Sequence, residues 1–354
     1  MNLSKQQEEI VKTTANKVVV VASAASGKTA VLVERARFLL DSGVDPKKIV
    51  IITFTNAAAE ELAERLDRPK GLFIGTIHAY ANYLLLSGGK ETQDLLEKEL
   101  FDKLFKRIKH NPDCIRPVEH LLLDESQDSN RAHFEFLLDM VKPTNYMIMG
   151  DHKQSIYRWN GAHPEYLINL AKQNEVTTYE LDENYRNATS ILTYAKNIIM
   201  TAGYDYRDTS KPMRGISGKV IPDLEYNPQA IAKTFSHMTD GFGDWFILTR
   251  TNAQIDEIAG VFKRYGIPYD TFKRAELDNK ELNKKMKENT VKILTIHTAK
   301  GLEANNVIVI GAKFYNLEER CISYVAATRA RNQLIWTKMP YRREPKFSTT
   351  NWEN

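Results

Sequence analysis

The chain has 354 residues, 42% of them hydrophobic and 27% charged, which is ordinary for a globular protein and leaves room for two core-bearing domains. A net charge of +4 permits nucleic-acid binding without arguing for it, and the two cysteines, Cys114 and Cys321, have no metal-spaced neighbours and read as free thiols of a reducing compartment. No apolar run reaches the roughly 18 to 20 residues of a membrane span, and the polar, amphipathic start is unlike a leader, so a soluble cytoplasmic protein with no membrane partner is expected.

In chain order, the first strand is expected at 18–22, where four valines form a β-branched run of the kind buried on both faces. A loop follows, Ala22, Ser23, Ala24, Ala25, Ser26, Gly27, Lys28 and Thr29, before a helix expected at 30–40. Gly-Lys-Thr at a helix mouth gathers backbone N–H groups and a positive dipole end on one point, which is a phosphate site. Lys28 would reach β- and γ-phosphates and the Thr29 hydroxyl would bind Mg²⁺. The strict P-loop pattern has glycine where Ala22 stands, and Ala25 replaces another.

Further strands are expected at 49–53, 121–124, 146–150, 177–181, 246–249, 291–295, 307–310 and 334–337. Helices are expected at 57–66, 95–108, 131–140, 188–202, 253–265 and 322–331. This alternation argues for parallel sheets covered on both faces, in two lobes joined near 181–185. The tail from Tyr341 is Pro-, polar- and charge-rich and is expected to fray.

Leu121, Leu122 and Leu123 deliver Asp124 and Glu125 at a C-terminal strand edge, where such sheets bind ligands. Alone, the pair could be a solvated helix start. Beside the loop it reads as a Mg²⁺ ligand, Asp124, and a base for the attacking water, Glu125. A second strand ends in Gly150, and Asp151, His152, Lys153, Gln154, Ser155, Ile156, Tyr157, Arg158 and Trp159 follow. Gln154 could sense the γ-phosphate, and Tyr157 and Trp159 could offer faces to unpaired bases. A lone Trp is more often core; the flanking Arg158 and Asn160 favour a partly wet ring. Lys153, Lys300 and Arg331 read as solvated surface charges with no assigned role.

These residues, with Gln7, Thr53-Phe54-Thr55-Asn56, Gly75-Thr76-Ile77-His78, Asn184-Tyr185-Arg186, the run from Thr295 to Glu303 and the run from Tyr324 to Ala330, stand in the order found in UvrD/Rep/PcrA-type superfamily 1 helicases. The resemblance spans nearly the whole chain. It implies two RecA-like P-loop NTPase lobes, each a mostly parallel sheet with helices on both faces, at 1–180 and 181–354. ATP and Mg²⁺ are the implied cofactors and single-stranded DNA, with single-strand/duplex junctions, the implied partner. It implies that Gln7 reads the adenine edge, Tyr185 stacks on its face, Glu303 contacts the ribose, and Arg186 and Arg329 are arginine fingers. Phe54, Thr55, His78, Tyr157, Trp159, Thr295 and His297 would line the strand groove. For either histidine alone, a structural role is the commoner one.

The chain departs from this family in several places. Serine and alanine stand at 23 and 25 where glycine is customary; the added Cβ atoms are tolerable if φ stays negative. Ala57 and Asn160 replace a lysine and an arginine, which removes two contacts to DNA phosphates and flattens the salt dependence of binding. The inserts that relatives carry in each lobe are reduced to stubs at about 79–118 and 275–290, each read as a charged helix. The expected function is an ATP-dependent helicase or translocase moving 3′ to 5′ as a monomer, with a replication or repair protein as partner. The stunted inserts keep open a translocase that unwinds only with a partner, and the altered loop keeps open a non-catalytic ATP- or DNA-binding module.

Overall fold

The computed structural model describes residues 3–87, 101–200, 203, 206–273 and 284–338. Parts of the predicted helix 95–108 and of both insert stubs, and the whole tail from Tyr341, lie outside these residues. The chain divides into two compact units, one of residues 1–218 and 313–332, the other of residues 219–312 and 333–354. Residues 181–218 and 313–332, which the sequence reading gives to the second lobe, thus cluster with the first.

In the first unit, β1 (Lys17–Ala22), β2 (Ile49–Thr53), β3 (Phe73–Thr76), β4 (His120–Leu123), β5 (Asn145–Gly150) and β6 (Thr177–Leu181) form a sheet of order β3-β2-β4-β5-β1-β6. All of its neighbours run parallel. Side chains alternate between faces along each strand, so each strand serves two cores. Val18, Val20, Ile49, Ile51 and Met147 meet the helices Lys5–Lys12 and Lys28–Asp41 through Ile10, Val31 and Leu32. On the other face Val19, Val50, Leu121 and Ile148 meet Tyr80, Leu84, Leu104, Phe105 and Phe136. The described parts of the first stub, the helices Ile77–Ser87 and Phe101–Lys109, therefore build this unit's own core. A short pair, β7 (Glu183–Asn184) and β8 (Lys211–Pro212), stands beside the main sheet.

The strands of the second unit, β9 (Lys219–Glu225), β10 (Trp245–Thr249), β11 (Tyr269–Phe272), β12 (Val291–Thr295), β13 (Ala304–Ile310) and β14 (Ala330–Lys338, in this unit from Gln333 on), take the order β11-β12-β10-β13-β14-β9. Ile247, Ile293 and Ile308 pack one face of it against Ile255, Ile258 and Phe262 of the helix Asn252–Tyr265 and Ile231 of the helix Pro228–Phe235.

Two expected elements are drawn differently, and a first helix is added. The helix expected at 131–140 is α-helical only over Arg131–Phe134 and widens into a π-helix over Glu135–Val141. The i→i+5 winding puts Phe136, Leu137 and Val141 in the core. The helix expected at 322–331 runs over Leu317–Ala327, because Asn316 caps it through Glu319 N and Ala330 already enters β14. The helix Lys5–Lys12 was readable only as an amphipathic start; Ser4 and Gln7 cap it reciprocally.

β5 lies between β1 and β4, and Gly150 ends it in a crowded place. A Cβ there would stand 2.5 Å from Ser126 Oγ and 2.8 Å from both Gln127 Oε1 and Leu167 Cδ2. Gly150→Ala should overpack this junction and lower stability by about 1–3 kcal/mol in urea unfolding; an unchanged midpoint would show that the three neighbours are free to yield.

Candidate functional site

The C-terminal ends of β4, β5 and β1, adjacent in the sheet, carry Asp124 and Glu125, then Asp151 to Gln154, then the loop from Ser23 to Thr29. At about 4.8 Å between neighbouring strands, all three fall within reach of one ligand. Gly27 turns the loop into the helix Lys28–Asp41 at φ 82°, a conformation that favours glycine. Lys28 is buried, and its Nζ lies 3.9 Å from Glu125 Oε1. Thr29 follows in the first helical turn, half-buried. Asp124 Oδ1 accepts the Glu125 N–H at 2.8 Å, and Glu125 adopts φ 50°. Gln127 Nε2 donates to Glu125 Oε2, while Gln127 Oε1 accepts the Asp151 N–H at 2.9 Å, tying the β4 and β5 ends together.

The loop departs from its expected form at one position. Ala25 sits at φ 57°, in the left-handed region, so the proviso of a negative φ is not met there. Ala22 ends β1, fully buried. The loop's carbonyls are held from outside: Asn184 Nδ2 donates to Ala24 O at 2.9 Å, Tyr185 N to Ala25 O at 3.1 Å, and Gln7 Nε2 to Ser26 O at 3.0 Å. Gln7 Oε1 meanwhile accepts the Ser4 N–H at 3.0 Å, so its amide retains one further donor and one further acceptor. The ring of Tyr185 is exposed and its hydroxyl donates to Glu183 at 2.7 Å.

Both arginines lie in the same compact unit as the loop, not in a separate lobe. Arg329 is 2% exposed and donates to Gln154 Oε1 at 3.2 Å and to Val325 O at 3.0 Å. Arg186 is half-buried and donates to Thr328 O at 3.3 Å, one residue away from Arg329. Gln154 Nε2 donates to Asp151 Oδ2 at 2.8 Å. Lys153, read from sequence as a surface charge, is instead buried and paired with Asp151 at 2.9 Å. Burial pushes its pKa down, but Asp151 and Asp208 more than reverse this and hold it above the ordinary lysine value. The apolar strand that ends in this motif was the signal for that burial, since a charge delivered into the sheet edge needs a partner.

Phe54 and Tyr157 stack at 5.1 Å, and Trp159 meets Tyr157 edge-on at 6.2 Å with 63% of its surface exposed. Tyr157 is buried, so of the two rings only Trp159 presents a broad open face. Thr55 caps the helix Asn56–Arg65 through Ala58 N at 3.1 Å. His78 stacks on Phe105 at 5.6 Å and meets His133 at 5.2 Å beside a pocket that also touches Asp124 and Glu125. In the second unit, Thr295 ends β12 and shares a hydroxyl hydrogen bond with Thr298 at 2.9 Å, His297 follows half-buried, and Glu303 is exposed just before β13.

The residues fit a nucleotide and a hard divalent cation. The buried hydroxyls of Ser26, Thr53 and Ser126 have no hydrogen-bond partner among the described residues, as expected of groups that an anion or its hydration shell would satisfy. Thr29 and Asp124 offer oxygen donors of the kind Mg²⁺ prefers. Among the described residues no group of three or more His, Cys, Asp or Glu could hold a metal.

A loop of this kind on a parallel sheet, facing a carboxylate pair two strands away, defines a P-loop protein of the RecA-like α/β class. Residues 3–115 and 95–175 match the UvrD/REP helicase N-terminal domain, and residues 270–341 match the UvrD-like helicase C-terminal domain. The chain belongs to the UvrD/Rep helicase family. It is 24% identical over 376 residues to the ATP-dependent DNA helicase PcrA of Staphylococcus aureus (strain Mu50), covering 76% of this chain and 50% of that protein. PcrA of Staphylococcus epidermidis (strain RP62A) gives 24% identity over 373 residues with the same shares. The chain thus spans about half the length of the curated relatives it matches. Among the described residues no helix is long and apolar enough to cross a membrane.

His133 gives the site a pH signature. Burial, with His78 adding to it, pushes its pKa down from 6.5 to about 3, and its Nδ1 accepts the Asn130 N–H at 3.3 Å, which requires an unprotonated nitrogen. Below the unfolded value the unfolded chain binds a proton that the native chain refuses, so stability falls as pH drops from about 6.5 toward 3. Wild type should lose up to about 1.4 kcal/mol per pH unit more than His133→Gln between about pH 6 and 4 in urea unfolding. Parallel profiles would mean that His133 takes up its proton in the native state.

Proposed function

We propose that the chain is an ATP-driven motor on single-stranded DNA, a DNA-dependent ATPase acting as a 3′-to-5′ helicase or translocase. The observation that carries this reading is the convergence of Lys28, Glu125, Gln154 and Arg329 at the ends of three adjacent strands, with Arg329 already bonded to Gln154. Lys28 neutralises the β- and γ-phosphates, and the loop amides of residues 25–29 cradle them. Thr29 and Asp124 hold Mg²⁺, which when bound supplies charge neutralisation of the phosphate oxygens. Glu125, 3.9 Å from Lys28 and anchored by Gln127, takes the proton of the attacking water. Gln154, Arg186 and Arg329 bear on the transferring phosphoryl group, where an arginine can contribute about 10³–10⁵ in rate. Gln7 and Tyr185 address the base, and Glu303 the ribose.

Gln154 and Trp159 belong to one motif, so a group that senses the γ-phosphate and a ring that can stack on a base move together. Phe54, Thr55, His78, Tyr157 and Trp159 line a strand path in the first unit, and Thr295 and His297 belong to the strand-binding motifs of the second. Alternating grip by the two units during turnover yields stepping. The polarity follows from resemblance to the family. We assign the chain to the cytoplasm, as a monomer working with a replication or repair protein.

A second reading, a translocase that unwinds only with a partner, is favoured by the first stub: its described helices fold into the unit's own core and leave no separate accessory domain among the described residues. Unwinding of a forked duplex by the chain alone would exclude it. Lys28→Ala should lower DNA-stimulated ATP turnover by at least about a hundredfold; an unchanged rate refutes the motor. Trp159→Ala should weaken single-stranded DNA binding by about fivefold to a hundredfold, the range of one base–aromatic stack, and reduce steps per ATP more than ATP turnover. Equal binding and stepping would remove the ring from the strand path.

A further inference from the structure

The loop's serine at position 23, where the family's glycine is customary, is not idle. Ser23 is buried, and its hydroxyl donates to Asp208 Oδ1 at 3.4 Å across 185 positions of sequence. Asp208 is itself 9% exposed and fully engaged: Ser210 N donates to its Oδ1 at 2.9 Å and the Tyr324 hydroxyl to its Oδ2 at 2.7 Å. Tyr324 is completely buried and its hydroxyl also meets the backbone of Ala24. Together with Asn184 on Ala24 O and Tyr185 on Ala25 O, these contacts hold each of the loop's first three residues from outside the loop.

We propose that Asp208 is a positioning residue for nucleotide binding, acting through the Ser23 hydroxyl to hold the phosphate loop in its binding conformation. The inference rests on the ATPase reading above and deepens it. A glycine-rich loop is free to sample many shapes and loses that freedom when a phosphate binds. This loop carries side chains at 23 and 25, and Ala25 is held at φ 57°, which an alanine does not favour on its own. A loop kept in that shape by neighbours is preorganised, so the ordering cost is already met on folding and affinity comes to depend on the neighbours. Asp208 is suited to the task because its charge is fixed. Burial pushes its pKa up, but Lys153, Tyr324 and Ser210 hold it below the ordinary aspartate value. A carboxylate can only accept, so the Ser23 hydroxyl has a single orientation to adopt.

A double-mutant cycle on the full chain tests this, with ADP binding by calorimetry and steady-state ATP turnover as readouts. Ser23→Ala and Asp208→Asn should each raise the ADP Kd about fivefold, the factor carried by a hydrogen bond of about 1 kcal/mol. The double variant should bind like either single variant. KM for ATP should rise by more than kcat falls, which separates positioning from loss of fold. Singles whose effects multiply in the double variant would show that Asp208 acts without Ser23 and overturn the inference. If Asp208→Asn fails to fold, Ser23→Ala decides alone, since it leaves every buried charge in place: wild-type affinity in that variant overturns the proposal. Absence of ADP and ATP binding by the wild-type chain overturns the ATPase reading itself and this inference with it.

Discussion

β5 sits between the strand that carries the phosphate loop and the strand that carries Asp124, and the close approach at its end sets the spacing of the site. Gly150 leaves the room into which Ser126 Oγ, Gln127 Oε1 and Leu167 Cδ2 close. Gln127 then bridges outward to Glu125 and back to Asp151 N, and Ser155 Oγ donates to Gln127 O at 3.0 Å. A single glutamine thereby couples the carboxylate next to Lys28 to the segment that leads into Gln154. Sheet spacing fixes the strand ends to within about 4.8 Å of each neighbour, but only such side-chain bridges fix the functional groups beyond the ends.

The second element is the buried charge around Lys153. An ion pair taken out of water recovers its desolvation cost only when the remaining polar groups are satisfied. Here Asp151 accepts from Lys153 at one oxygen and from Gln154 at the other, and the far side of Gln154 meets Arg329. The chain of contacts runs from a buried lysine to a buried arginine through one carboxylate and one amide. Each group has limited freedom to rotate because each has two partners. In such an arrangement a small displacement of Gln154 is passed to its partners rather than absorbed.

What sequence conveyed follows the range of the physics involved. The β-branched run of β1, the apolar run of β4 and the Gly-Lys-Thr turn are set by neighbours along the chain, and they stand where the pattern puts them. The caps of Asn316 and Ser4 were local too; Asn316 fixes a helix start that hydropathy alone leaves five residues adrift. By contrast, Lys153 reads as solvated although the strand before it signals burial, and Asp208 has no distinguishing neighbours. Its meeting with Ser23 joins residues 185 positions apart, which no periodicity records. The membership of 181–218 and 313–332 in the first unit is of the same kind, since it depends on the packing of the helices Thr189–Met200 and Leu317–Ala327 against each other.

Glycine in a phosphate loop is often taken as the requirement, whereas the conformation is what the chemistry needs. Ala25 makes the distinction visible. It occupies the left-handed region at φ 57°, at a cost of roughly 1–2 kcal/mol relative to an ordinary conformation. Gly27, at φ 82°, keeps its glycine for a further reason: a Cβ there would stand 2.6 Å from Gln7 Nε2, the group that holds Ser26 O. The two positions therefore answer to different constraints. At 25 the demand is backbone shape alone, and hydrogen bonds to the carbonyls on either side can enforce it on an alanine. At 27 the demand is shape and empty space together, and only glycine supplies both.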